Sequence, residues 1–100
     1  MRREHVIHIL NSHADTLRQA GIAHVSLFGS IARDRAAEAS DIDLIIDGFS
    51  DRPMTLFRMV RAQEILETIF QRRVDLIAQE GLDHAPELKR KIASEIVRVY

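Results

Sequence analysis

Asp41 and Asp43 flank Ile42 at the start of an apolar run that continues Leu44-Ile45-Ile46. An earlier apolar run, His24-Val25-Ser26-Leu27-Phe28, closes on Gly29-Ser30, and ten residues separate Ser30 from Asp41. Alternate residues of a strand project to the same face, so the two carboxylates should point together. Carboxylates that close repel, and they hold a shared proton or bind a cation. Hard oxygen ligands favour magnesium, the usual companion of nucleotide phosphates. The Gly29-Ser30 pair sits where a strand turns into a helix, a geometry that offers backbone N–H groups to an anion. One end of the constellation suits a metal and the other a phosphate. A third carboxylate, Asp75, interrupts the apolar run Val74-Asp75-Leu76-Ile77. An acid inside a strand is costly unless paired or bound to metal. Its plain alternative is a salt bridge with Arg72, Arg73 or Arg90. Arg33 is placed to assist with phosphate, or else is simply solvent-exposed.

The elements that must position these residues follow from periodicity. Val6, Ile7, Leu10, Ala14 and Leu17 keep helical spacing, with Gly21 as C-terminal cap, and predict one helix. Residues 22–28 read as a strand, Ser30 to about Arg35 as a short helix, 36–40 as a loop and 42–47 as a buried strand. Gly48 to Pro53 reads as a turn, with Ser50, Asp51 or Thr55 available to cap the next helix. Leu56, Met59, Val60, Leu66, Ile69 and Phe70 give that helix a broad apolar stripe. Arg73 to Ala78 is a third strand. Pro86 opens a last helix in which Leu88, Ile92, Ile96 and Val99 keep helical spacing. Residues 97–100 also alternate like a strand, so their state stays open. This order predicts an α/β domain, a small mixed sheet flanked by helices.

Size and composition set the frame. One hundred residues make a single domain, 1–100, and 46% hydrophobic residues suffice for a core. A formal net charge of −1 lacks the basic excess of a protein that grips nucleic acid by its phosphates. Cationic side chains are nearly all arginine, a bias that suits phosphate contacts but fits a GC-rich genome better. Cysteine is absent, which excludes disulfides, thiolate zinc sites and cysteine nucleophiles. The charged start is no signal peptide and no segment is apolar enough to span a membrane, so a cytoplasmic location is expected.

Other residues fit less well. Asp47 lies on the face of Asp43 but about 13 Å along the strand, too far to share an ion. Asp34 and Glu38 read as surface, and Glu64 and Glu67 as the solvated side of a helix. No dinucleotide-binding glycine motif or P-loop can be written. His5, His8, His13 and His24 read as polar surface, and no hydrolase triad is supported.

Taken together, Gly29-Ser30, Asp41-Ile42-Asp43-Leu44 and the later Asp75 resemble the nucleotidyltransferase superfamily. The wording Leu27-Phe28-Gly29-Ser30-Ile31-Ala32-Arg33 and Ser40-Asp41-Ile42-Asp43-Leu44 is similar to the minimal nucleotidyltransferases, the MntA-type antitoxins paired with HEPN-domain toxins. Asp34 departs from the pattern, since many relatives have glycine after Ala-Arg. The resemblance implies the polymerase-beta-like catalytic core fold. It implies that Asp41 and Asp43 hold two Mg2+ ions against ATP. Asp75 would ligate one of these ions and help deprotonate the acceptor hydroxyl, and Gly29, Ser30 and Arg33 would bind nucleotide. It further implies transfer of AMP to a hydroxyl, in the family a tyrosine of the HEPN toxin, within a hetero-oligomer. Nothing beyond a catalytic core fits into 100 residues, so the acceptor is expected on another chain or a second copy. Two other readings stand beside this one: an antitoxin that blocks its toxin by binding alone, and the catalytic subunit of a small-molecule nucleotidyltransferase.

Overall fold

The computed structural model describes residues 1–34 and 41–100. The predicted loop at 36–40, with Glu38, and the end of the short helix at Arg35 lie outside the described residues. Elements follow in the order α1 (Arg3–Ser12), α2 (Ala14–Gln19), β1 (His24–Phe28), α3 (Gly29–Ala32) and β2 (Ile42–Asp47). Then come α4 (Leu56–Phe70), β3 (Val74–Ala78), α5 (Gln79–Asp83), α6 (Pro86–Ile92), a 3-10 turn (Ala93–Glu95) and β4 (Val97–Arg98). The α/β class and the small mixed sheet agree with the expectation from sequence.

The sheet has the order β3-β2-β1-β4. β1 runs antiparallel to both β2 and β4, while β2 and β3 are parallel. A parallel pair needs a crossover, and α4 supplies it. Every second strand residue packs on one side of the sheet. Val25, Leu27, Ile42, Leu44, Ile46 and Val74 meet Val6, Leu10, Leu17, Ala62, Leu66 and Phe70 from α1, α2 and α4 there. Burial of these side chains is the main stabilising term. The opposite face is covered thinly: Ile45 packs with Leu82 of α5 and Ile92 of α6, and Phe28, Ile77 and Ile96 lie against them. β2 is therefore buried on both faces except at its two aspartates, Asp43 and Asp47. No helix among the described residues is long and apolar enough to cross a membrane.

Several local features refine the periodicity or depart from it. The first helix is two, broken at His13, whose backbone (φ −105°, ψ 12°) leaves the helical region. The His13 ring Nδ1 lies 2.9 Å from the Ile9 carbonyl, and the Ser12 hydroxyl donates to the His8 carbonyl at 2.8 Å. Such local side-chain bonds compete with the helical ladder. The chain then ends α2 at Gly21 as expected, at φ +97°, with the Ile22 N–H donating to the Leu17 carbonyl. α6 stops at Ile92, so Ile96 and Val99 do not continue a helix. The closing segment instead pairs with β1, Val97 opposite Leu27 and Arg98 opposite Ser26. α5 was not marked by periodicity at all. Finally, Thr55 is the residue that caps α4, its hydroxyl accepting from the Arg58 N–H at 3.2 Å. Leu56 and Val60 of the expected apolar stripe are exposed. Glu67, expected in solvent, accepts from the Val74 N–H at 3.0 Å and anchors the entry to β3.

Candidate active site

The register of the parallel pair places Asp43 directly opposite Asp75. Neighbouring strands lie about 4.8 Å apart, and paired residues share a face. That face is the thinly covered one, because Asp43 alternates with Ile45 and Asp75 with Ile77. Asp41 immediately precedes β2. A single guanidinium reaches it and Asp75 together: Arg73 Nε lies 3.3 Å from Asp75 Oδ1 and 3.9 Å from Asp41 Oδ2. The fold thus brings the three carboxylates to one end of one face. The salt bridge weighed as the alternative for Asp75 is also present, and its partner is Arg73.

Asp43 is half-buried. Burial pushes its carboxyl above the usual range, the negative charges of Asp75, Asp41 and Glu95 push it further, and Arg33 opposes them. Among the described residues, no three of His, Cys, Asp or Glu close around a point that could chelate an ion. Arg73 sits instead between Asp41 and Asp75. The guanidinium relieves part of the repulsion between these carboxylates. The donor chemistry is all carboxylate oxygen, the set that magnesium prefers.

Gly29 is fixed by this carboxylate cluster. Its φ is +78°, a left-handed value, and a Cβ placed there would collide with the Asp43 carboxylate, lying 3.0 Å from its Cγ. Only glycine combines that backbone with that proximity. Phe28 opposes Asp43 in the antiparallel register, so the β1–α3 turn stands over the acidic group. Ser30 follows in the first turn of α3 and is half-buried. Ile31 and Ala32 anchor α3 in the core, and Arg3 donates to the Ala32 carbonyl at 3.1 Å. Arg33 ends the helix. It is not simply solvent-exposed: its Nη1 donates to Glu95 Oε2 at 2.6 Å. Glu95 Oε1 accepts from the Gly29 N–H at 3.2 Å. Nothing in the spacing marks Glu95, which lies 66 residues from Gly29. Only an acid set among the apolar Ile92 and Ile96 hints that it faces inward.

The other acids stay apart from the cluster. Asp47 is at the far end of β2, opposite His24. There a pocket of about 730 Å³ is lined by Arg18, His24, Asp47, Phe49, Glu80 and Tyr100 among others, with none of the clustered aspartates. Tyr100 donates to the Ile22 carbonyl at 3.0 Å, and burial pushes its phenol up to about 12. A neutral, tethered phenol is structural. His5, His8 and His24 are exposed, as read from the sequence.

The chain is similar to known proteins in sequence and in fold. The family described as "Nucleotidyltransferase domain" matches residues 10–99. The protein adenylyltransferase MntA of Thermococcus cleftensis is 32% identical over 97 residues, covering 96% of this chain and 94% of its own. A Methanocaldococcus jannaschii protein, MJ0126, provisionally named a protein adenylyltransferase, is 29% identical over 92 residues, 91% of each chain. A solved structure described as a candidate minimal nucleotidyltransferase superposes with a TM-score of 0.76 at 31% identity, covering 97% of this chain and 95% of that one. With family, relatives and fold in agreement, the chain belongs to the nucleotidyltransferases, among the minimal members of that family.

Proposed function

We propose that this nucleotidyltransferase moves AMP from ATP to a tyrosine hydroxyl of a HEPN-domain toxin and thereby acts as its antitoxin. One observation carries the chemistry: Asp43 faces Asp75 in register, with Asp41 beside them, beneath the Gly29 turn. In this reading Asp41 and Asp43 hold two magnesium ions and Asp75 contributes to one. Magnesium, when bound, supplies positive charge to the attacking and leaving oxygens of an in-line displacement. The Gly29 N–H and the Ser30 hydroxyl orient the outer phosphates, and Arg33 adds a guanidinium. Asp75 accepts the proton of the acceptor hydroxyl as its oxygen attacks the α-phosphorus. One phosphorus–oxygen bond forms, the bond to the β-phosphate bridge breaks, and pyrophosphate carries away the displaced electron pair. Phosphoryl transfer asks mainly for positioning and charge neutralisation, which a small domain can supply.

A protein acceptor is supported by the relatives named protein adenylyltransferases. The HEPN toxin and the tyrosine rest on the resemblance of the Leu27–Arg33 and Asp41–Leu44 segments to MntA-type antitoxins, and a cytoplasmic site of action rests on the charged, non-signal start of the sequence. The test uses ATP labelled at either end, with magnesium and the partner chain. Label at the α-phosphate is expected to pass to the partner with release of pyrophosphate. Transfer of γ-label instead refutes nucleotidyl transfer to that partner.

A further inference from the structure

Two of the three groups that the proposed function assigns to the outer phosphates, the Gly29 N–H and the Arg33 guanidinium, are already engaged by an anion of the chain itself. The Gly29 N–H donates to Glu95 Oε1 at 3.2 Å, and Arg33 Nη1 donates to Glu95 Oε2 at 2.6 Å. The Glu95 side chain is only 15% exposed. A carboxylate so sheltered is costly unless its oxygens are hydrogen-bonded, and here each oxygen has one partner. Its charge also adds to the field of Asp41, Asp43 and Asp75, so it does not sit there to relieve the cluster.

We propose that Glu95 is a built-in competitor for the phosphate seat: its carboxylate holds Gly29 and Arg33 in the nucleotide-free protein, and a triphosphate enters by displacing it. The proposal rests on the reading of Gly29 and Arg33 as phosphate-binding groups. One backbone N–H at this distance cannot serve a carboxylate and a phosphate oxygen equally, and the two anions repel. Displacement needs no unfolding. Ile92 is buried before the 3-10 turn and Val97 pairs with Leu27 after it, so the backbone stays anchored while the Glu95 side chain turns out. Seat occupancy is thereby tied to the closing segment, Ala93 to Arg98, which carries the competing group.

The test compares the full-length wild type with Glu95→Gln. Glutamine keeps the size and an acceptor for Gly29 but removes the charge that opposes phosphate. Binding of magnesium-ATP, and of magnesium tripolyphosphate as a phosphate-only probe, is measured by calorimetry. NMR follows the Gly29 amide and the Glu95 side-chain carboxyl carbon in the wild type. Glu95→Gln is expected to bind both probes about tenfold more tightly, the effect of removing one unfavourable charge contact. In the wild type the Glu95 carbon should shift on saturation. Equal or weaker binding by Glu95→Gln, or a Glu95 carbon that stays in place while probe binds, overturns the proposal, and weaker binding marks Glu95 as a positioning residue. Should neither probe bind or move the Gly29 amide, the nucleotide-site reading itself fails, and the competitor with it. The wild-type carbon signal keeps the test decisive even if the variant folds poorly.

Discussion

Replacing Asp43 by asparagine removes one charge from a cluster of like charges, so it should stabilise the metal-free protein while destroying activity. Asp43 and Asp75 are opposite each other in adjacent strands. Two unit charges about 5 Å apart repel by about 0.8 kcal/mol in water and about 3 kcal/mol at an effective dielectric of 20. Asp75 is 42% exposed, so the lower end applies, and the gain should be about 1 kcal/mol. For a domain of this size that is about 4–8 °C in Tm. The sign with pH follows from the raised carboxyl of Asp43. The native state binds this proton more tightly than the unfolded chain does. Wild-type stability therefore falls as pH rises through the window from the ordinary value of 3.8 upward to the folded value, and stays lower above it. The advantage of Asp43→Asn should be full near neutral pH and vanish in acid, where both side chains are neutral. The assay is thermal melting with a chelator, across pH, then repeated with magnesium. Magnesium should raise the wild-type Tm and leave the variant's nearly unchanged. A variant that melts below the wild type at neutral pH, or one that gains equally from magnesium, refutes the picture of a repelling carboxylate cluster.

Arg73 contacts both Asp41 and Asp75, the carboxylates proposed to bind magnesium, so Arg73→Ala should lower the magnesium concentration for half-maximal binding by up to about fivefold, the range of an exposed ion pair, in a magnesium titration. Gly29→Ala should cost about 1–3 kcal/mol from its left-handed backbone, more from collision with Asp43, and abolish transfer; melting and label transfer check both. Leu66 is fully buried, and Leu66→Ala should destabilise by about 2–5 kcal/mol in urea unfolding while the remaining folded protein keeps its magnesium affinity.

The parts of this molecule legible in its sequence are those where charge and apolar pattern conflict. Asp43 and Asp75 break otherwise apolar strands, and that conflict marked them before their register was known. The buried run Leu44-Ile45-Ile46 announced a strand covered on both faces. Helical stripes located α4 but left its cap open among Ser50, Asp51 and Thr55, and Leu56 and Val60 keep the spacing yet stay exposed, since periodicity says which residues share a face and not what lies opposite. α5 carries one buried apolar residue, Leu82, too few to form a period. The break at His13 arises from side-chain bonds to the chain's own backbone, which pattern does not report. Glu95 eluded the sequence for a different reason. Its partners, Gly29 and Arg33, are distant along the chain, and only the pairing of β4 with β1 brings them together.

The most direct measurement of the central claim is the intact mass of the proposed HEPN-domain partner after incubation with a substoichiometric amount of this protein and magnesium-ATP. Wild type should leave a lasting mass increase of AMP on a partner tyrosine, and toxicity should stay suppressed once the antitoxin is removed. Asp43→Asn should bind the toxin yet add no mass and fail to protect at that dose. Equal protection by Asp43→Asn, with the toxin's mass unchanged in both cases, would contradict the catalytic account and show that binding alone neutralises the toxin.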